Sequence, residues 1–381
     1  MRAACYLSNP HSDAQRERAR ERDMAIRFRI TSCAATTEKE NKMEAEQEAA
    51  VRIGVMGCAT IAKKVSRAIR LAPNARLVAV ASRTAEKARR FAMENGFPED
   101  ARVCGSYEEL LEDPAMDAVY MPLPTSLHRR WVPEAARRGK HILVEKPAAL
   151  AARELEEMLV VCEDMGVQFM DGTMWMHHPR TAKMRELLSD ASLFGDLRWV
   201  NSAFTFAATD YFLKNDIRVK PDLDALGALG DAGWYCIRSI LWAADYELPK
   251  TVTAIRGTVS RNAAGVLLSC GSSLLWDDEK VATFHCSFNS NLTTNFTVSG
   301  TRDSGFTELV TGWSPLPTQL HVATDLPQEA CLVREFARLV RAIIDSGSKP
   351  DQKWPVITKK TQMVLDAVKA SIGKGYEPVS L

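Results

Sequence analysis

The feature that most constrains this chain is the alternation of short apolar runs with amphipathic stretches between residues 51 and 145. Val51 to Met56 (V-R-I-G-V-M) reads as a strand, and the turn Gly57-Cys58-Ala59-Thr60-Ile61-Ala62 opens an amphipathic helix through Leu71. Residues 76–81 read as a second strand and 86–95 as a second helix. Ser106 opens another helix with Glu108 and Glu109 in its first turn, where the dipole favours acids. Residues 118–121 and 141–145 are strands around a helix at 127–138. This βαβαβ cadence predicts a parallel sheet with right-handed crossovers, whose ligands bind at the carboxyl ends of the strands.

After Asp171 the cadence changes. Helices are expected at 179–188 and 233–243, and strand-like runs at 197–206, 251–259, 266–276, 281–288 and 295–300. Two helices, 329–345 and 359–371, close the chain. The predicted fold is an α/β Rossmann nucleotide-binding domain over 51–171, followed by an α+β domain over 172–381. The latter carries a large, mostly antiparallel sheet. Its expected roles are substrate binding and dimerisation. Residues 1–50 contain R-E-R-A-R-E-R from Arg16 and are dense in Glu and Lys after Glu38, so a disordered extension is expected, with Met43 a candidate start. No secretory-signal core is present.

A net charge of +1 on 381 residues gives no electrostatic pull toward nucleic acid or anionic membranes. No apolar run approaches the roughly 18 residues of a membrane span. The nine cysteines lack C-x-x-C and zinc spacing. Six of them, Cys104, Cys162, Cys236, Cys270, Cys286 and Cys331, lie in or beside apolar segments. Reduced core thiols of a cytoplasmic protein are expected.

The turn departs from G-x-G-x-x-G: Gly57 remains, but Ala59 and Ala62 replace the later glycines. A phosphate can still approach the helix N-terminus. An NAD site usually places an acid at the end of the second strand. Here Ser82-Arg83 stands instead, able to donate to and pair with a 2′-phosphate, so NADP is expected and NAD is the alternative. Pro122 and Pro124 keep the segment Met121-Pro122-Leu123-Pro124-Thr125 extended, as a wall beside a nicotinamide, and His128 follows it. Glu145-Lys146-Pro147 ends the next strand, where Pro147 favours an extended Lys146 at the ligand edge. Asp231 and Tyr235 are four apart and share a helix face, with Arg238 three further on that face. Adjacent His177 and His178 read as a strand pair on opposite faces, unable to share a metal; no metal is expected. One should line the substrate pocket and the other pack.

Gly57 to Ala62, Leu123-Pro124-Thr125-Ser126-Leu127-His128, Glu145-Lys146-Pro147, Asn215-Asp216-Ile217-Arg218 and the run from Gly227 to Tyr235 together resemble the Gfo/Idh/MocA family of nicotinamide-dependent oxidoreductases. The resemblance covers about residues 51–381. It is strongest to the branch with glucose–fructose oxidoreductase, dimeric dihydrodiol dehydrogenase and NADP-dependent xylose dehydrogenase. The stretch Met174 to Thr181 is similar to uncharacterised plant members. The resemblance implies hydride transfer at a hydroxyl or carbonyl carbon of a sugar, cyclic polyol or dihydrodiol. It makes Lys146 and Tyr235 the proton-transfer pair, with Asp231 orienting or polarising. It also implies a homodimer paired through the open face of the second sheet. The expected cofactor shell is Gly57, Cys58, Ala59, Thr60, Ile61, Ser82, Arg83, Pro122, Leu123, Pro124, Thr125, His128, Glu145, Lys146 and Trp175. The expected substrate contacts are His178, Arg180, Arg218 and Tyr235. The alternatives are a non-catalytic NAD(P)-binding sensor and an oxidoreductase that retains its cofactor between turnovers.

Overall fold

The computed structural model describes residues 50–302 and 322–381. The expected N-terminal extension lies outside these bounds, apart from Ala50, as do Cys5 and Cys33.

The first sheet is built from β1 (Val51–Met56), β2 (Ala75–Ala81), β3 (Arg102–Cys104), β4 (Ala118–Met121), β5 (His141–Val144) and β6 (Phe169–Asp171). Between them run α1 (Thr60–Leu71), α2 (Ala85–Glu94), α3 (Tyr107–Leu111), α4 (Thr125–Arg137) and α5 (Ala152–Asp164). The strand order is β3-β2-β1-β4-β5-β6, and every pairing is parallel. Helices cover both faces, so β4 and β5 are buried at every residue and read as continuous apolar runs. The order reverses between β1 and β4, which opens a crevice at their carboxyl ends. Local chemistry sets the helix starts: Thr84 Oγ1 accepts the Lys87 amide and Ser106 Oγ accepts the Glu109 amide. α1 has Ala59 at its N-cap and no side-chain cap.

A 3₁₀ turn (Met174–His177) and α6 (Pro179–Ser189) lead into β7 (Leu197–Ala207). Then come α7 (Asp210–Asn215), a 3₁₀ turn (Ile217–Val219), α8 (Gly227–Ala243), β8 (Thr251–Ala254), β9 (Ser260–Arg261), β10 (Leu267–Leu275), β11 (Val281–Ser287) and β12 (Asn289–Gly300). The chain ends in α9 (Gln328–Ser346), α10 (Lys353–Gly373) and β13 (Val379–Ser380). The second sheet runs β12-β7-β11-β10-β8-β13, with β9 paired to β10. Its pairings are antiparallel except β7 with β11. The second domain is therefore mixed but mostly antiparallel, as expected.

One face of this sheet packs on α8, where Val200, Ala282, Phe284, Cys270 and Cys286 are buried. The opposite face presents Trp199, Asn201, Thr283, Ser273 and Leu275, alternating with the buried set. Nothing in the described chain covers Trp199 and Leu275, which are 41% and 42% exposed.

Asp171, the last residue of β6, joins the two sheets. Its carboxylate accepts from Arg238 Nη2 on α8 at 2.8 Å, and from Thr173 and Thr358. Arg238 Nε donates to Thr361 Oγ1 on α10 at 2.7 Å. Arg238 thus faces inward and is fully buried, not turned to the ligand edge with Asp231 and Tyr235. Seven residues advance the helix by about 10 Å, so a shared stripe does not mean a shared pocket.

Candidate active site

A cavity of about 870 Å³ lies along the carboxyl edge of the first sheet and the inner face of the second. The turn just after Gly57 forms one part of its wall. Gly57 has φ of +116°, and a Cβ there would stand 3.1 Å from Leu123 Cδ2. A side chain would be strained at this position and would crowd the β4 segment. Cys58, Ala59, Thr60 and Ile61 line the cavity at the start of α1. The uncapped first-turn amides of that helix suit a pyrophosphate, which replaces the missing cap. The turn therefore fits a dinucleotide despite its two alanines.

Lys146 sits one residue beyond the Glu145 that follows β5, and its peptide with Pro147 is cis. Its Nζ donates to Asp231 Oδ1 at 2.5 Å and lies 4.7 Å from the Tyr235 ring centroid. Arg218 Nε stands 3.0 Å from the same Asp231 oxygen, and Arg218 Nη1 donates to Asp216 Oδ1 at 3.1 Å. A chain of alternating charge, Lys146–Asp231–Arg218–Asp216, thus crosses the cavity wall. α8 reaches this position through its glycines: a Cβ at Gly230 would stand 2.4 Å from Leu226 Cβ and 3.3 Å from Pro147 Cγ.

Burial opposes the charge on Lys146, but Asp231 and Tyr235 outweigh it and push its pKa up. Burial likewise opposes ionised Asp231, and Lys146 and Arg218 reverse that, leaving it below the usual carboxylate range. Burial raises Tyr235, while the Lys146 ammonium pulls it back. The corner thus holds a fixed ammonium, a fixed carboxylate and a neutral phenol. Glu145 is raised chiefly by burial; the Tyr120 hydroxyl donates to its Oε1 at 2.7 Å. Asp224, also raised by burial, accepts from Thr125 Oγ1 at 2.6 Å.

Of the expected site residues, Cys58, Ala59, Thr60, Ile61, Pro122, Leu123, Thr125, Glu145, Lys146, Trp175, Arg180, Arg218, Asp231 and Tyr235 line the one cavity. Gly57, Ser82, Arg83, Pro124, His128 and His178 stand off its wall. His128 is fully buried, with its ring nitrogens 3.1 Å from the Leu123 and Ala148 carbonyls. It braces the Leu123 segment from behind, and burial lowers its pKa to about 4. The histidine pair is not a strand. His177 ends the 3₁₀ turn and packs 4.5 Å from the Trp354 ring, while His178 caps α6 by accepting the Arg180 amide. Pro179, fitted to a first helical position, sets this geometry.

Several wall residues escaped the sequence reading. Lys64 lies one turn into α1 and stands 3.4 Å from Glu329 of α9. Lys87, in the first turn of α2, is off the wall, but burial raises the nearby Cys58 thiol and the Lys87 charge offsets part of that rise. The position of Lys87 three residues after the N-cap threonine Thr84, near Arg83, was a usable signal. Ser202, Phe204 and Phe296 join the wall only because β7 pairs with β12, which no local pattern announces.

Residues 51–173 match the model of the oxidoreductase family with an NAD-binding Rossmann fold, Gfo/Idh/MocA, and 181–304 match the C-terminal domain model of the same family. The chain belongs to the Gfo/Idh/MocA oxidoreductase family. A dTDP-3,4-didehydro-2,6-dideoxy-alpha-D-glucose 3-reductase from Streptomyces violaceoruber is 38% identical over 240 residues, covering 62% of this chain and 66% of the relative. A D-xylose 1-dehydrogenase (NADP(+)) from Haloferax volcanii is 38% identical over 218 residues, covering 56% of this chain and 64% of that one. These alignments span about two thirds of each relative. The crystal structure of a variant 3-ketoreductase from Actinomadura kijaniata, in complex with NADP and TDP-benzene, superposes with a TM-score of 0.69 at 27% identity. It covers 84% of this chain and 97% of that one.

Proposed function

We propose that this family member is an NADP-dependent oxidoreductase that moves a hydride between nicotinamide and a carbinol or carbonyl carbon of a sugar or cyclic polyol. The observation that carries the reading is the Lys146 ammonium, held by Asp231 and facing Tyr235, in the cavity that also contains the open N-terminus of α1. The cofactor, when bound, supplies or accepts the hydride. The protein's part is to position the substrate oxygen and manage its proton. In reduction, the Tyr235 hydroxyl gives its proton to the oxygen as the carbonyl carbon gains a hydride. The Lys146 charge stabilises the tyrosinate that remains. In oxidation the same proton returns. Asp231 holds the ammonium in place, and Arg218 pins the Asp231 carboxylate. Arg218 thus belongs to the charge chain and also lines the cavity.

Preference for NADP rests on Arg83 and the nearby Lys87, which offer a 2′-phosphate two cations where NAD sites carry an acid; the Ser82 side chain, expected to help, is buried beside Cys58. The xylose dehydrogenase is NADP-linked and the 3-ketoreductase binds NADP, while the xylose dehydrogenase and the Streptomyces violaceoruber 3-reductase act on sugars, which supports the same assignment here. The uncovered outer face of the second sheet is the surface for a homodimer. The seven described cysteines are free thiols, which suits a cytoplasmic setting. Among the described residues no helix is long and apolar enough to cross a membrane. The test is NADPH binding by cofactor fluorescence, followed by NADPH oxidation against a panel of keto sugars and dicarbonyls. Binding with turnover of at least one compound supports the reading; no cofactor binding overturns it.

A further inference from the structure

Among the described residues, charge pairing along the cavity wall leaves one cation over. Lys146 and Arg218 share Asp231, and Arg218 also takes Asp216. Lys64 has Glu329. Arg180 lines the same cavity and, among the described residues, has no carboxylate within 4 Å of its guanidinium. Its backbone is nonetheless fixed. The Arg180 amide donates to His178 Nδ1 at 3.0 Å, and the Thr181 hydroxyl donates to the Trp175 carbonyl at 2.6 Å. It sits in the first turn of α6, an eleven-residue helix whose N-terminal dipole adds to the positive potential.

The other demands for positive charge are met elsewhere. Under the oxidoreductase reading, on which this inference rests, the cofactor's phosphates have the α1 N-terminus, Arg83 and Lys87. The reacting corner has Lys146. Arg180 is itself exposed, and its sequence neighbours Met174, Trp175, Thr181 and Met184 line the same cavity. A neutral sugar would use such a wall for its ring but leave the guanidinium idle. A ligand carrying an anionic oxygen pair would meet two parallel N–H donors.

We propose that the substrate bears an anionic group, a phosphate or a carboxylate, remote from the carbon that exchanges hydride, and that Arg180 binds it. Arg180 is then a specificity-determining residue: it selects charged sugars over neutral ones without touching the hydride step.

The test is calorimetric titration of the full-length protein saturated with NADP+, using two matched pairs: dTDP against thymidine, and D-glucuronate against D-glucose. At least one anion should bind about tenfold or more tightly than its neutral partner, the scale of a charge-assisted contact. The dTDP pair reports phosphate recognition and the glucuronate pair carboxylate recognition. Arg180→Gln should remove the preference and Arg180→Lys keep part of it, with NADPH affinity and melting temperature unchanged in both. Absence of any preference in the wild type, or its full retention in Arg180→Gln, overturns the proposal. Weakened NADPH binding in Arg180→Gln with the anion preference intact also overturns it, by assigning Arg180 to the cofactor. Failure of the wild type to bind NADPH at all strikes the oxidoreductase reading instead, so the two failures are distinguishable.

Discussion

At the scale of single residues, the active corner is a matter of which charge is fixed and which can move. Two cations converge on one Asp231 oxygen, so that carboxylate stays ionised and Lys146 stays an ammonium. The phenol of Tyr235 is the group left free to exchange a proton. The sequence alone could not decide between Lys146 and Tyr235, because Asp231, Arg218 and Asp216 come together only in the folded chain. The cofactor end follows the same logic. Arg83→Ala and Lys87→Ala should each weaken NADPH binding about tenfold while leaving NADH almost unchanged, since each removes a contact specific to the 2′-phosphate. Parallel fluorescence titrations with the two cofactors check this, and equal losses for both would count against NADP selectivity.

At the scale of elements, the alternation from β1 to β5 was legible because buried parallel strands are unbroken apolar runs. What escaped had a physical cause in each case. β3 and β6 have three residues each, too few to show a period. α8 begins at Gly227, six residues before the expected start, because its glycines are poor helix formers retained for close packing against Pro147 and β11. α10 begins at Lys353 rather than 359, since Pro355 is tolerated in a first turn. The strand expected over 251–259 stops at Ala254, where a 3₁₀ turn takes over. The bond between elements that matters most is Asp171 to Arg238, which ties β6 to the helix carrying Asp231 and Tyr235. Asp171→Ala should destabilise the protein by about 3–5 kcal/mol, because it strands a buried guanidinium. Chemical denaturation measures the loss. A change under about 1 kcal/mol would mean that the two sheets are held in register by something else.

For the whole molecule, pH and association are the accessible tests. His128 and His141 are buried, and burial lowers each to about 4 from an ordinary 6.5. Between these values the unfolded chain binds protons that the folded chain refuses. The stability they contribute is therefore complete above pH 6.5 and declines as pH falls toward 4. Each unit of separation is worth about 1.4 kcal/mol. Denaturant midpoints should fall steadily over that interval, and His128→Asn should flatten part of the slope; an unchanged midpoint from pH 6.5 to 4 would contradict the burial argument. Sedimentation should give a dimer that Thr283→Arg, on the outer sheet face, converts to monomer. A wild-type monomer at working concentration would remove the sheet-pairing model.

The central claim is that Lys146 and Tyr235 handle the proton of an NADP-linked redox step. The most direct measurement is NADPH turnover by the wild type, Lys146→Ala and Tyr235→Phe on the same keto sugar, with NADPH affinity determined alongside. Each substitution should lower kcat by about 10²–10⁴-fold while cofactor affinity changes little. Turnover near wild-type rates in both variants would contradict the account.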